Sequence, residues 1–168
     1  MSRSRSTSRF IRTICATTVL SITYTFAVSS VDAQATVTLT QSGGSFGSPT
    51  AADYVATAQS ATTPMSFQIV TDSEATGAHS TTLVIRSSSS TLGSGKPIGD
   101  LEWRRGDLSD WHPVTTVDAE VEEWADAYSP TGHTYSNTIY FRIRLDWATT
   151  HPATYSAPVV LTVTYSKL

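Results

Sequence analysis

The stretch Thr138–Trp147 reads T-I-Y-F-R-I-R-L-D-W, and its chemistry alternates residue by residue. Ile139, Phe141, Ile143, Leu145 and Trp147 fall on one side, and Tyr140, Arg142, Arg144 and Asp146 on the other. Alternation sustained over this length fits a β-strand with one dry and one wet face. After the break T-T-H-P-A-T-Y, Pro158–Tyr165 (P-V-V-L-T-V-T-Y) repeats the pattern, with Val159, Leu161 and Val163 inward. Two antiparallel strands of this kind cannot bury their apolar faces alone. The sequence therefore calls for a second layer, expected from residues 35–117.

That upstream region supplies several candidates. Ala35–Thr40 alternates with Val37 and Leu39 on one face. Residues 41–63 are rich in Gly, Ser, Thr and Ala and are expected to be a long loop, with at most one short strand around Tyr54–Ala58. Met65–Asp72 places Met65, Phe67 and Ile69 on one face, and Thr81–Ser87 places Leu83 and Ile85 inward. Ser87–Gly99 is the most flexible-looking loop of the chain. Leu101–Arg104 and Trp111–Val117 are expected to pair as a hairpin. Asp118–Tyr128 is ambiguous. Val117, Val121, Trp124 and Tyr128 recur at helical spacing, which fits three turns of amphipathic helix, but an irregular strand at a sheet edge is the equal alternative. Short strands with turn signals between them and little helix predict an all-β fold: a single antiparallel Ig-like β-sandwich, with a closed barrel as the alternative.

Residues 1–33 differ from the rest. Arg3, Arg5, Arg9 and Arg12 form a basic start without acids, Ile14–Val28 is mostly apolar, and Val31-Asp32-Ala33 is a small-residue cleavage pattern. Together these predict a cleavable signal peptide over 1–33 and a β-sandwich domain over 34–168. The apolar run is short and carries several hydroxyls, so no membrane span is expected in the mature chain. Residues 34–168 hold seven bases against thirteen acids, a net charge of −6. That balance argues against nucleic acid or an anionic membrane as partner. Cys15 is the only cysteine and lies within the leader, so the mature chain would cross into an oxidising space, periplasmic or extracellular, without disulfides.

Motifs with chemical meaning are few. Gly43-Gly44-Ser45-Phe46-Gly47 matches G-x-S-x-G, but Ser48-Pro49 follows where a helix should start, so no nucleophile is assigned. Arg105-Gly106-Asp107 is what a hairpin tip would contain in any case. The terminal S-K-L resembles a peroxisomal address but conflicts with the export signal. His79, His112, His133 and His151 lack metal-ligand spacing. The acids Asp100, Glu102, Asp107 and Asp110, and then Glu120, Glu122, Glu123 and Asp126, crowd two neighbouring segments. Calcium is the one cofactor such clusters admit, although the D-x-D-x-D-G loop is missing and a solvated edge reads the same. No catalytic, cofactor or metal residue is assigned. Among the tryptophans, Trp103 and Trp147 share faces with Leu101 and Leu145 and are expected in the core, which leaves Trp111 and Trp124 as candidates for stacking on a sugar.

The ending Pro152-Ala-Thr-Tyr155-Ser-Ala-Pro-Val159-Val-Leu-Thr-Val-Thr-Tyr165 is similar to the closing turn and strand of exported bacterial Ig-like modules of the spore-coat-U and pilin type, where a P-x-x-Y turn feeds a T-V-T-rich strand. The disulfide usual in those modules has no counterpart here. The resemblance implies extracellular structural work. The leading expectation is a secreted, non-enzymatic protein with a structural, surface or adhesion role; Val37 and Leu39 are candidates for self-assembly by strand addition, but pairing of their strand within its own sandwich is the favoured reading. A carbohydrate-binding module acting on surface glycan through Trp111 and Trp124 is the alternative, and a small secreted hydrolase comes third.

Overall fold

The alternation at the C-terminal end becomes a long strand, with Ile139, Phe141, Ile143 and Leu145 all buried. The computed structural model describes residues 9–16, 22–29, 36–42, 46, 49–61, 63–72, 77–92, 95–148, 150, 155 and 157–167, the first three segments as backbone. In chain order the elements are β1 (Arg9–Ala16), β2 (Ile22–Ser29), β3 (Thr36–Ser42), α1 (Ala51–Val55), β4 (Ala58–Ser60), β5 (Met65–Asp72), β6 (His79–Ser87), a 3-10 turn (Ile98–Asp100), β7 (Leu101–Arg105), β8 (His112–Pro113), β9 (Ala119–Asp126), β10 (Thr134–Arg144) and β11 (Val159–Lys167).

The fold is all-β, and the strands form two sheets. One runs β1-β2-β11-β6-β9; the other runs β3-β5-β10-β7-β8, with β4 also on β10. All ladders are antiparallel except β2 on β11, which is parallel. The two long C-terminal strands share no ladder and belong to opposite sheets. Their apolar faces meet across one core, where Leu161 and Val163 of β11 join Ile139 and Phe141 of β10. The facing layer is therefore not drawn from residues 35–117 alone, because each C-terminal strand anchors its own sheet. β10 is the centre of the second sheet: Ile139 pairs with Met65 on one edge and Arg105 on the other, and further along β4 takes over from β5. Burying a full aliphatic or aromatic side chain is worth about 1.5–3 kcal/mol each, and the largest fully buried ones include Phe141, Met65, Ile69, Leu83 and Leu161.

The ambiguous Asp118–Tyr128 segment resolves as the edge strand β9. Its helical spacing has a definite cause. Leu83 pairs with Glu122 but Val84 pairs with Glu120, so Val121 is an extra residue, a β-bulge. The bulge resets the alternation: Val121 is buried, and Trp124 and Asp126 turn inward beyond it. Two inward residues three positions apart imitate a helix within a strand.

Three further expectations change. Tyr54 lies in the helix α1, not on a strand. The arm after Trp111 is reduced to the two-residue β8, although Val114 still donates its N–H to the Leu101 carbonyl at 2.8 Å and is buried. The loop after β6 is tied down: Leu92 and Ile98 are buried, and Leu92 N–H bonds Lys96 O at 2.8 Å. At the hairpin tip, Gly106 N–H reaches Thr138 O at 2.7 Å, and a Cβ at Gly106 would lie 3.2 Å from that oxygen. A side chain at Gly106 would therefore be tight against the β10 backbone. The Arg105 guanidinium and Asp107 carboxylate grip each other at 2.6 and 2.8 Å, which holds the carboxyl below its usual range.

Candidate functional site

The predicted site residues do not converge. Trp124 is half-buried against the core, stacked on Tyr135 with ring centroids 4.6 Å apart and edge-on to Phe67. Trp111 is half-buried on the outer side of the β10 sheet. The guanidinium carbons of Arg142 and Arg104 lie over its ring, 4.4 and 5.3 Å from the centroid. Arg104 also covers Tyr140 at 4.3 Å, and Arg142 is locked to Glu102 at 2.5 Å. The backbone of β3, which carries Val37 and Leu39, forms the end strand of its sheet, paired Val37↔Thr71 and Leu39↔Ile69. Ser45 lies outside the described residues. Many of the clustered acids have partners of their own: Asp100 with Lys96, Glu102 with Arg142, Glu122 with Arg105 and Glu123 with Ser80. Among the described residues no group of three or more His, Cys, Asp and Glu side chains is placed to hold a metal ion. Among those residues, too, no helix is long and apolar enough to cross a membrane.

A different aromatic site forms where β10 ends. Leu145 is still buried and donates to Thr57 O at 2.9 Å. Asp146 then closes a turn: its carboxylate accepts from Ala148 N–H at 2.7 Å, its carbonyl accepts from Thr150 N–H at 2.8 Å, and its own N–H donates to Thr150 Oγ1 at 3.1 Å. The chain leaves the sheet before the alternation reaches Trp147. That side chain, expected in the core, is 64% exposed.

Trp147 has a support. Helix α1 begins at a capping box in which Thr50 and Asp53 satisfy each other's backbone N–H. The backbone and then the hydroxyl of Thr50 hold the Asp53 carboxyl below its ordinary value. The helix buries Tyr54, whose hydroxyl donates to Thr150 O at 3.3 Å, and the Trp147 ring stacks on Tyr54 with centroids 4.4 Å apart. Burial, with Tyr54 adding, raises the nearby Tyr155 hydroxyl above its ordinary range. Thr57 follows at φ 58°, a left-handed conformation that is costly for a β-branched residue. Below the rings, Lys96 is buried, its ammonium donating to Asp100 at 2.7 Å and to Thr150 Oγ1 at 3.2 Å.

These groups line a cleft of about 480 Å³, with Arg144, Leu145 and Asp146 completing the wall. The volume lies within the roughly 300–1,000 Å³ of small-molecule sites. The cleft offers one open aromatic face, cationic donors at Lys96 and Arg144, and carboxylate acceptors at Asp100 and Asp146. Sequence periodicity misses it because its key residue continues an alternating run. The signals present are Thr50-x-x-Asp53, which announces a helix, and an aspartate beside the tryptophan, which announces a turn. No protein-family model, curated protein or solved structure matches this chain.

Proposed function

We propose that this chain is an exported, non-enzymatic Ig-like β-sandwich that works at the cell surface or in the matrix as an adhesion protein, engaging carbohydrate through the Trp147 cleft. The observation that carries the proposal is Trp147 itself: a large ring held on one side by a buried tyrosine while 64% exposed. A solvent-facing tryptophan costs apolar exposure and is ordered only because Tyr54 and the Asp146 turn fix it. Such a face matches the apolar face of a pyranose, and charged side chains line the cleft beside it. Export rests on the basic start, apolar run and small-residue site of residues 1–33. Cleavage there would remove β1 and β2, leaving the β10 sheet whole and making β11 an edge.

Retention on immobilised polysaccharides, measured for the purified chain and for Trp147→Ala, tests the cleft. The substitution should abolish retention and leave the melting temperature nearly unchanged. Equal retention by both proteins would remove the assignment. Mass spectrometry of the protein recovered outside the cell tests export, with Gln34 expected at the N-terminus.

A further inference from the structure

We infer that the sugar taken by this cleft is acidic: a uronic acid whose ring stacks on Trp147 and whose carboxylate pairs with Arg144. The inference rests on the carbohydrate assignment above and adds the ligand's charge.

The cleft contains two cations and two anions, but they are not equally committed. Lys96 and Asp100 neutralise each other at 2.7 Å beneath the rings. The Asp146 carboxylate is turned into its own loop by the Ala148 N–H. Arg144 is different. Its nearest acid is Glu102 at 4.0 Å, and Glu102 is already gripped by Arg142 at 2.5 Å. Glu102 is also nearly buried, at 11% exposed, while the Arg144 side chain is 63% exposed. The guanidinium thus stands in water at the cleft wall with its charge largely uncompensated, on a chain whose residues 34–168 carry a net −6. A planar fork of N–H donors suits a carboxylate held in two parallel hydrogen bonds. In a uronic acid the carboxylate sits directly on the pyranose ring at its periphery. Stacking the ring on one residue and pairing the acid with a neighbour therefore require no flexible linker. Trp147 and Arg144 are three residues apart across a fixed turn, and both line the same cleft.

The test uses the full chain with polygalacturonate and alginate oligosaccharides, each compared with its esterified form, by calorimetric titration. The wild type should bind each acid at least about tenfold more tightly than its ester. Arg144→Gln should bind acid and ester alike, at the level of the ester, with an unchanged melting curve because the side chain is exposed. Arg144→Lys should keep part of the preference, as a point charge without the fork. Trp147→Ala should lose both forms. Equal wild-type affinity for acid and ester, or a preference that survives in Arg144→Gln, would overturn the acidic-sugar assignment while leaving the cleft intact if Trp147→Ala still fails to bind. Binding that survives in Trp147→Ala, or no binding by the wild type to any of the four sugars, would overturn both.

Discussion

Trp111 and Trp147 both lie near the β10 sheet with arginines beside them, yet they are opposite cases. Trp111 is covered by the guanidinium groups of Arg104 and Arg142, and Arg142 is itself pinned by Glu102. Trp147 has a tyrosine behind it and open cleft in front. Covering an aromatic with paired cations completes a surface; supporting it from one side leaves a face for a ligand. Exposure alone does not separate a binding tryptophan from a decorative one. What the ring's faces already touch does separate them.

Substituting the two rings gives the clearest contrast. Trp147→Ala should weaken glycan binding about 30-fold or more, the scale of an interface hot spot at about 2 kcal/mol. Trp111→Ala should change it about twofold at most, measured by the same titration. Comparable losses would mean that both rings touch the ligand. Below Trp147, Lys96→Met removes a buried ammonium from Asp100 and Thr150 and should cost about 1–3 kcal/mol in urea unfolding. The partly exposed Asp100 keeps the loss below that of a fully buried pair. Thr57→Gly relieves a left-handed conformation worth about 1–2 kcal/mol against a glycine entropy cost of about 0.5–1 kcal/mol. It should therefore stabilise by up to about 1.5 kcal/mol, and a lower melting point would show that the threonine packs usefully. Acid gives the smallest effect. The Asp53 carboxyl titrates below its ordinary 3.8 in the folded chain. Its capping contribution is thus complete above about pH 4 and is lost as pH falls through the folded value. Helix α1 should loosen there, releasing Tyr54 from Trp147. Tryptophan fluorescence should report a transition in that range, absent in Asp53→Asn, while Trp111 contributes none.

The fold was legible wherever burial followed a single period. Met65, Phe67, Ile69, Leu83, Ile85 and the β10 residues up to Leu145 are core residues as their spacing implies. Sheet membership was not legible, because alternation tells a strand which face is dry but not which neighbour it meets. That is why β10 and β11 could look like partners while lying in opposite sheets. The candidate site was hidden by the same strength. A run of alternating residues counts Trp147 as inward, whereas three hydrogen bonds at Asp146 turn the chain away one residue earlier. Short-range polar chemistry overrode hydrophobic period at that point, and again at Thr50–Asp53, where a capping box made a helix inside a stretch too poor in large apolar residues to suggest one.

The extra residue at Val121 carries a corollary for any rearrangement of the gene. Strand β9 is in effect written in two frames, one serving Ala119 and Val121 and the other Trp124 and Asp126. Excising Val121 alone would merge the frames. The shortened strand would then pair regularly along β6, with Glu122 beside Leu83 and Trp124 beside Thr81 still on the core side, and what is lost is the buried Val121 side chain. Losing that codon should therefore cost the burial of one valine, about 1.5–3 kcal/mol, whereas losing the codon for Glu123 would turn Trp124 and every β9 residue after it to the opposite face.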